Sequence, residues 1–159
     1  MRYPWALAAA VLFPAALATS VQQLDLKAQV QRSVLAIVAT VTARSYQQIS
    51  GYPWTDYTLA IQDTLWGSAS VLPTVQGNPA LQILGGPTLV LVGAPKLKVN
   101  GQYVLLLYSG TMDDPVVGVN QGIYPVQGGE VQLPSGPVAL QQFENQLQTE
   151  RSQQSGGGS

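Results

Sequence analysis

The stretch GAPKLKVNGQYVLLLYSG, residues 93 to 110, decides the fold. Its Asn100-Gly101 pair tolerates the positive φ angles of a tight turn, which makes Val99 to Gln102 a hairpin signal. The run YVLLLY that follows is too short for an ordinary helix and apolar on both faces, so it reads as a central, fully buried strand. Downstream, PVVGVNQGIYPV, residues 115 to 126, repeats strand-like hydrophobics around Gly118 and Gly122. Glycine weakens a strand, and two of them inside one predict bends where a sheet coils on itself, the device by which small barrels turn corners.

Working outward, VLAIVATVTAR sets Ile37, Ala39, Val41 and Ala43 against Val38, Thr40, Thr42 and Arg44, the period of a strand. WTDYTLAIQDTLWG does the same, with Tyr57, Leu59 and Ile61 on one side, and its alternation slips at Asp63, which predicts a bulge or the strand end. Gly51 and Pro53 break the chain between these two strands, which places Tyr52-Pro53-Trp54 in a loop. A long polar loop carrying Pro73, Gly77 and Pro79 follows, and then ALQIL and TLVLV read as two further strands around Gly85-Gly86-Pro87. Lys96 and Lys98 fall on one side of a hairpin strand, as solvated guards of an edge.

Helices are expected at both ends. In VQQLDLKAQVQR, residues 21 to 32, Val21, Leu24 and Ala28 share a helical face. In SGPVALQQFENQLQ, Ser135 or Gly136 reads as a cap, Pro137 as a first-turn residue, and Leu140, Phe143 and Leu147 as the buried stripe. Residues 149 to 159, TERSQQSGGGS, lack apolar periodicity and end in linker composition, so they are expected to be a disordered tail.

Composition excludes more than any motif adds. The chain has 159 residues, which predicts one domain, and it has no cysteine and no histidine. Disulfides, thiolate nucleophiles, zinc-thiolate sites and the commonest general base are thereby removed. Only 9% of residues are charged, seven basic against eight acidic, which leaves no field to steer nucleic acid. The N-terminus, MRYPWALAAAVLFPAALATS, has one cation at Arg2, an apolar run from Trp5 to Ala18 and small residues at its end. This is the pattern of a secretory signal peptide over residues 1 to 18, too short and too proline-broken for a membrane anchor. The expectation is an exported protein, secreted, periplasmic or of the cell envelope, with no transmembrane anchor after cleavage and its domain at residues 19 to 148.

The order of LDLKAQVQRSVLAIVATVTA, YTLAIQDTLWG, Gly85-Gly86, GAPKLKVNGQYVLLL and VVGVNQGIYPV resembles small exported bacterial proteins with an oligonucleotide/oligosaccharide-binding-type (OB-type) barrel. These are similar to the inhibitor domain of metalloproteinase inhibitors and to netrin-like modules. The resemblance implies a mainly β fold, a closed or partly open five-stranded OB-like barrel with a short N-terminal helix and a C-terminal helix. In the inhibitor family an N-terminal cysteine chelates the target's metal; this sequence has none, so that chemistry does not carry over.

Few chemical constellations are available. Asp113-Asp114 beside Pro115 reads as a turn rather than a cation site. Ser68 and Ser109 lack a nucleophile-elbow setting, and only Lys27, Lys96 or Lys98 would remain as a base. No catalytic residue, metal ligand or cofactor is therefore assigned. Tyr46, Tyr52, Trp54 and Tyr57 are the most suggestive cluster, and Tyr52 and Trp54 are the candidate binding residues, amphipathic anchors in a predicted loop. The functional expectation is a non-enzymatic binding or structural module whose partner is another exported protein or an envelope polymer. An inhibitor or accessory protein of a secreted protease is the alternative, and a Ser-Lys or carboxylate hydrolase the third reading.

Overall fold

A computed structural model describes residues 22–109 and 114–155. The signal-peptide segment, Asp113 and the last four residues lie outside the described residues. The fold is mainly β: eight antiparallel strands form one sheet in the order β3-β4-β2-β1-β5-β6-β7-β8, with a helix before and after it. The elements are α1 (Leu26–Arg32), β1 (Leu35–Ile49), β2 (Tyr52–Trp66), β3 (Thr74–Val75), β4 (Asn78–Leu84), β5 (Gln102–Leu107), β6 (Ile123–Gln127), β7 (Glu130–Leu133), β8 (Gly136–Ala139) and α2 (Leu140–Ser155). The sheet does not close: β3 and β8 are its two ends, where the sequence reading expects a barrel of five strands. Among the described residues no helix is long and apolar enough to cross a membrane.

The dominant element is the β1–β2 hairpin, two strands of 15 residues each. Its turn is only Ser50-Gly51, both at positive φ (53° and 83°), the backbone that a two-residue hairpin turn demands. The residues 52 to 54 expected in a loop are the first of β2, because Pro53 sits opposite Gln48 without interrupting the ladder. Register shifts lie between Ala36/Ile37, Val38/Ala39 and Val41/Ala43. The second skips Gln62, next to Asp63, where the alternation slips in the sequence.

β5 pairs with β1 on one side and β6 on the other, and Tyr103 to Leu107 are all buried. This is the doubly covered strand that YVLLLY predicts. Its side chains divide between two cores. Tyr103, Leu105 and Leu107 join Leu35, Ile37, Leu59 and Leu81 on one face; Val104 and Leu106 join Val30, Val38, Phe143 and Leu147 under the helices on the other. Replacing a buried Leu105 with alanine would cost about 2 to 5 kcal/mol.

Three apolar segments depart from the expected strands. TLVLV is a loop whose sheet-like pairing among the described residues is the single bridge Gly86–Leu89, and KLK is an irregular segment with Leu97 buried between two exposed lysines. Asn100 does take the expected positive φ of 65°, but its N–H bonds to the Val41 carbonyl, so the turn lays the incoming segment across β1 instead of closing a hairpin. VVGVNQG is a tight turn before β6. Gly122 is required there by close approach, since a Cβ on it would lie 2.6 Å from the Leu106 carbonyl oxygen.

The N-cap of α1 is Asp25, whose Oδ1 accepts the Ala28 N–H at 2.7 Å. A helix of seven residues needs neighbours, and Arg151 of α2 supplies one by donating from Nη1 to the carbonyls of Val30 and Ser33. Ser135, Gly136 and Pro137 do not open the second helix: β8 intervenes, and α2 starts at Leu140. It then runs to Ser155, through residues expected to be disordered. Phe143 and Leu147 anchor it in the core, which compensates for its polar sequence.

Candidate functional site

Beyond Thr40, β1 loses its partner on the β5 side, while β4 still flanks β2 from Trp54 to Thr58. Over one face of the outer half of the hairpin runs the loop of residues 85 to 96. The Gly85 N–H bonds to the Pro53 carbonyl, and the Gly85 carbonyl accepts the Thr55 hydroxyl at 2.9 Å. Gly85 takes φ 112°, a left-handed backbone that favours glycine, and Gly86 lies beside Pro53 and the Tyr46 ring. Gly85 thus lets the segment turn over the hairpin.

The result is a cleft of about 300 Å³ between the hairpin and the loop. Arg44, Tyr46, Thr55 and Tyr57 form its floor, because these four stand opposite one another in register and share a face. Val90, Leu91 and Lys96 stand on its other wall. Among the described residues no carboxylate lines it, so Arg44 and Lys96 give it a positive character that the whole chain lacks. The Arg44 guanidinium carbon lies 5.7 Å from the Tyr46 ring centroid. Burial pushes the Tyr57 phenol up, with a hydrogen bond to the Leu97 backbone and the nearby Arg44 charge pulling it back. Tyr57 is thus a neutral hydrogen-bonding group that fixes the crossing segment, as is Tyr103, whose hydroxyl accepts the Lys98 N–H at 2.9 Å.

The loop over the cleft is unusually apolar for its exposure. Val90 is 71% exposed and Val92 fully so. A smaller hollow of about 110 Å³ lies alongside, between Leu91, Val92, Asp114 and Val119. Val119 has φ 70°, a left-handed backbone that a β-branched residue adopts only under constraint. Asp114 accepts the Val116 N–H, the local turn expected beside Pro115, and burial pushes its carboxyl up.

The aromatic cluster of the sequence is divided by strand alternation. Tyr46 and Tyr57 face the cleft; Tyr52 and Trp54 stand on the opposite face, across from Ile49 and Gln47. Tyr52 is 61% exposed, whereas Trp54 is half-buried and its Nε1 has no hydrogen-bond partner. On that same face Asp56, only 2% exposed, accepts from Gln47 Nε2 at 2.5 Å through Oδ2 while Oδ1 has no partner. Arg44 and Lys96 escaped sequence reasoning because 52 residues separate them; the signal available was the Gly-Gly pair ahead of an apolar run with no acid near it. Ser68 caps a short turn through Ser70. Among the described residues no three His, Cys, Asp or Glu side chains gather as metal ligands would. No family model matches the sequence, and no curated protein matches it.

Proposed function

We propose that this is an exported, non-enzymatic binding module, acting in the extracellular space or cell envelope, whose recognition surface is the outer half of the β1–β2 hairpin with the loop that covers it. The cleft carries this reading: it combines two cations, two tyrosines and exposed aliphatic side chains, with no acid among the described residues that line it. Such a surface binds by shape and apolar area, with charge selecting the partner. Catalysis has little support, because cysteine and histidine are absent from the sequence and the carboxylates Asp56 and Asp114 stand apart from the cleft floor. Tyr52, with Trp54 behind it, extends the surface around the hairpin tip. The likeness to netrin-like modules and OB-type barrels contributes the idea of a curved sheet read at its loops, and no residue role.

A photo-crosslinking amino acid at position 46, with another at exposed Gln62 as control, tests this reading in extracytoplasmic fractions of the producing cell. A discrete adduct at position 46 and none at position 62 is expected. Equal labelling at both positions, or none at either, overturns it.

A further inference from the structure

We infer that the surface takes an extended peptide carrying a carboxylate, which adds as a strand to the free edge of β1. This rests on the proposed binding role and goes further by naming the ligand's backbone and charge. Two observations carry it. The first is the edge: β5 pairs with β1 only from Leu35 to Thr40, and Val41 bonds to the crossing segment at Asn100 and Gly101. From Ala43 to Ile49, β1 pairs with β2 on one side and, among the described residues, with no strand on the other. These seven exposed residues carry a single charge and no proline, so few of the devices that usually blunt an edge are built into them.

The second is that the cleft reaches the edge strand: Arg44 and Tyr46, which help line its floor, belong to β1 within the stretch that β5 does not pair. A strand added there sends alternate side chains to the two faces. One set falls beside Arg44, Tyr46 and Lys96; the other falls beside Gln47 and Ile49, with Tyr52 next to them. Backbone pairing supplies affinity without sequence preference, and the two cations that line the cleft select a carboxylate on that side. A second copy of this chain is the less fitting occupant, because two β1 edges would bring Arg44 to a site already positive.

The test is selection of a random decapeptide display library on the protein, followed by hydrogen exchange with the winning peptide. Winners are expected to carry an acidic residue among β-branched ones, and to protect those alternate amides between residues 43 and 49 that do not bond to β2. Arg44→Gln and Lys96→Gln, both exposed, should each weaken binding about tenfold while the free protein's exchange pattern is unchanged. N-methylation of alternate peptide amides should abolish it. Lack of enrichment, winners without an acid, or binding that leaves residues 43 to 49 unprotected overturns the inference. Winners that shield the loop over the cleft but not the edge would sink strand addition alone and leave the proposed binding role standing. Protection of the edge that grows with protein concentration in the absence of peptide would show a second copy there, and overturns it as well.

Discussion

The Tyr124 hydroxyl donates a 2.6 Å hydrogen bond to Oε1 of Gln29, joining β6 to α1. Gln29 is itself buried, and its Nε2 donates to the Leu24 carbonyl, so one amide spans helix, N-terminal segment and sheet. Tyr124 also packs against Phe143 of α2, with ring centroids 4.9 Å apart. Tyr124→Phe keeps the ring contact and strips the donor from a buried acceptor. It should cost about 1 to 3 kcal/mol in urea unfolding, and an unchanged midpoint would show the bond to be dispensable.

The same phenol has its pKa pushed up to about 12 by burial. An acid whose folded pKa is raised contributes stability that is complete below its unfolded value and lost as pH rises through the folded one. Wild-type stability should therefore fall from about pH 10 toward about pH 12, and Tyr124→Phe should remove part of that slope. Parallel profiles for the two proteins would place the alkaline loss elsewhere.

Glu144 of α2 is buried, and its carboxyl is pushed up by that burial and then by the charge of Asp63 on β2. Its contribution is complete below the unfolded value of 4.5 and is lost as pH rises through the raised folded value. Asp114 adds a contribution of the same sign from 3.8 upward. Glu144→Gln keeps the side chain neutral, so its stability profile from about pH 4 to about pH 8 should be flatter than that of the wild type. Identical slopes in chemical denaturation would count against the assignment.

Gln47 supplies the hydrogen bond that Asp56 Oδ2 receives, while Oδ1 goes without. Gln47→Ala should destabilise the protein by about 1.5 to 3 kcal/mol, a large effect for an exposed residue, because it leaves a buried carboxylate with neither oxygen bonded. Adding Asp56→Asn should recover much of the loss by removing the charge. If the double variant is no more stable than Gln47→Ala, the carboxylate is solvated in a way this bond does not control.

The two candidate aromatics should separate under mutation. Tyr52→Ala is expected within about 0.5 kcal/mol of wild type in stability, since the ring stands in solvent. Trp54→Ala should cost about 2 to 3 kcal/mol through lost packing on the hairpin face. Equal effects on thermal unfolding would mean that the two rings are not in different environments.

Much of the fold was legible because burial leaves a periodic trace. The unbroken run at Tyr103 to Leu107 announced a strand covered on both faces, the slip at Asp63 announced the bulge beside it, and Asn100 announced a left-handed turn. The apolar spacing of Phe143 and Leu147 announced α2.

What periodicity cannot carry is the identity of the partner. TLVLV has strand composition, yet it lies over the hairpin as a loop because Gly85 binds the Pro53 carbonyl and turns the chain across the face of the sheet. Gly118 and Gly122 looked like bends in a strand; tertiary packing made them a turn, since Gly122 must pass against the backbone of Leu106. The cleft is a further step removed. Arg44 and Lys96 come to line one cleft only when β4 pairs with β2 and the chain returns toward β5 over β1, and the extra length of β1 beyond β5 leaves unpaired on that side the strand that carries Arg44. Local sequence sets which residues avoid water, whereas strand order and register, summed over contacts distant in the chain, decide which of them meet.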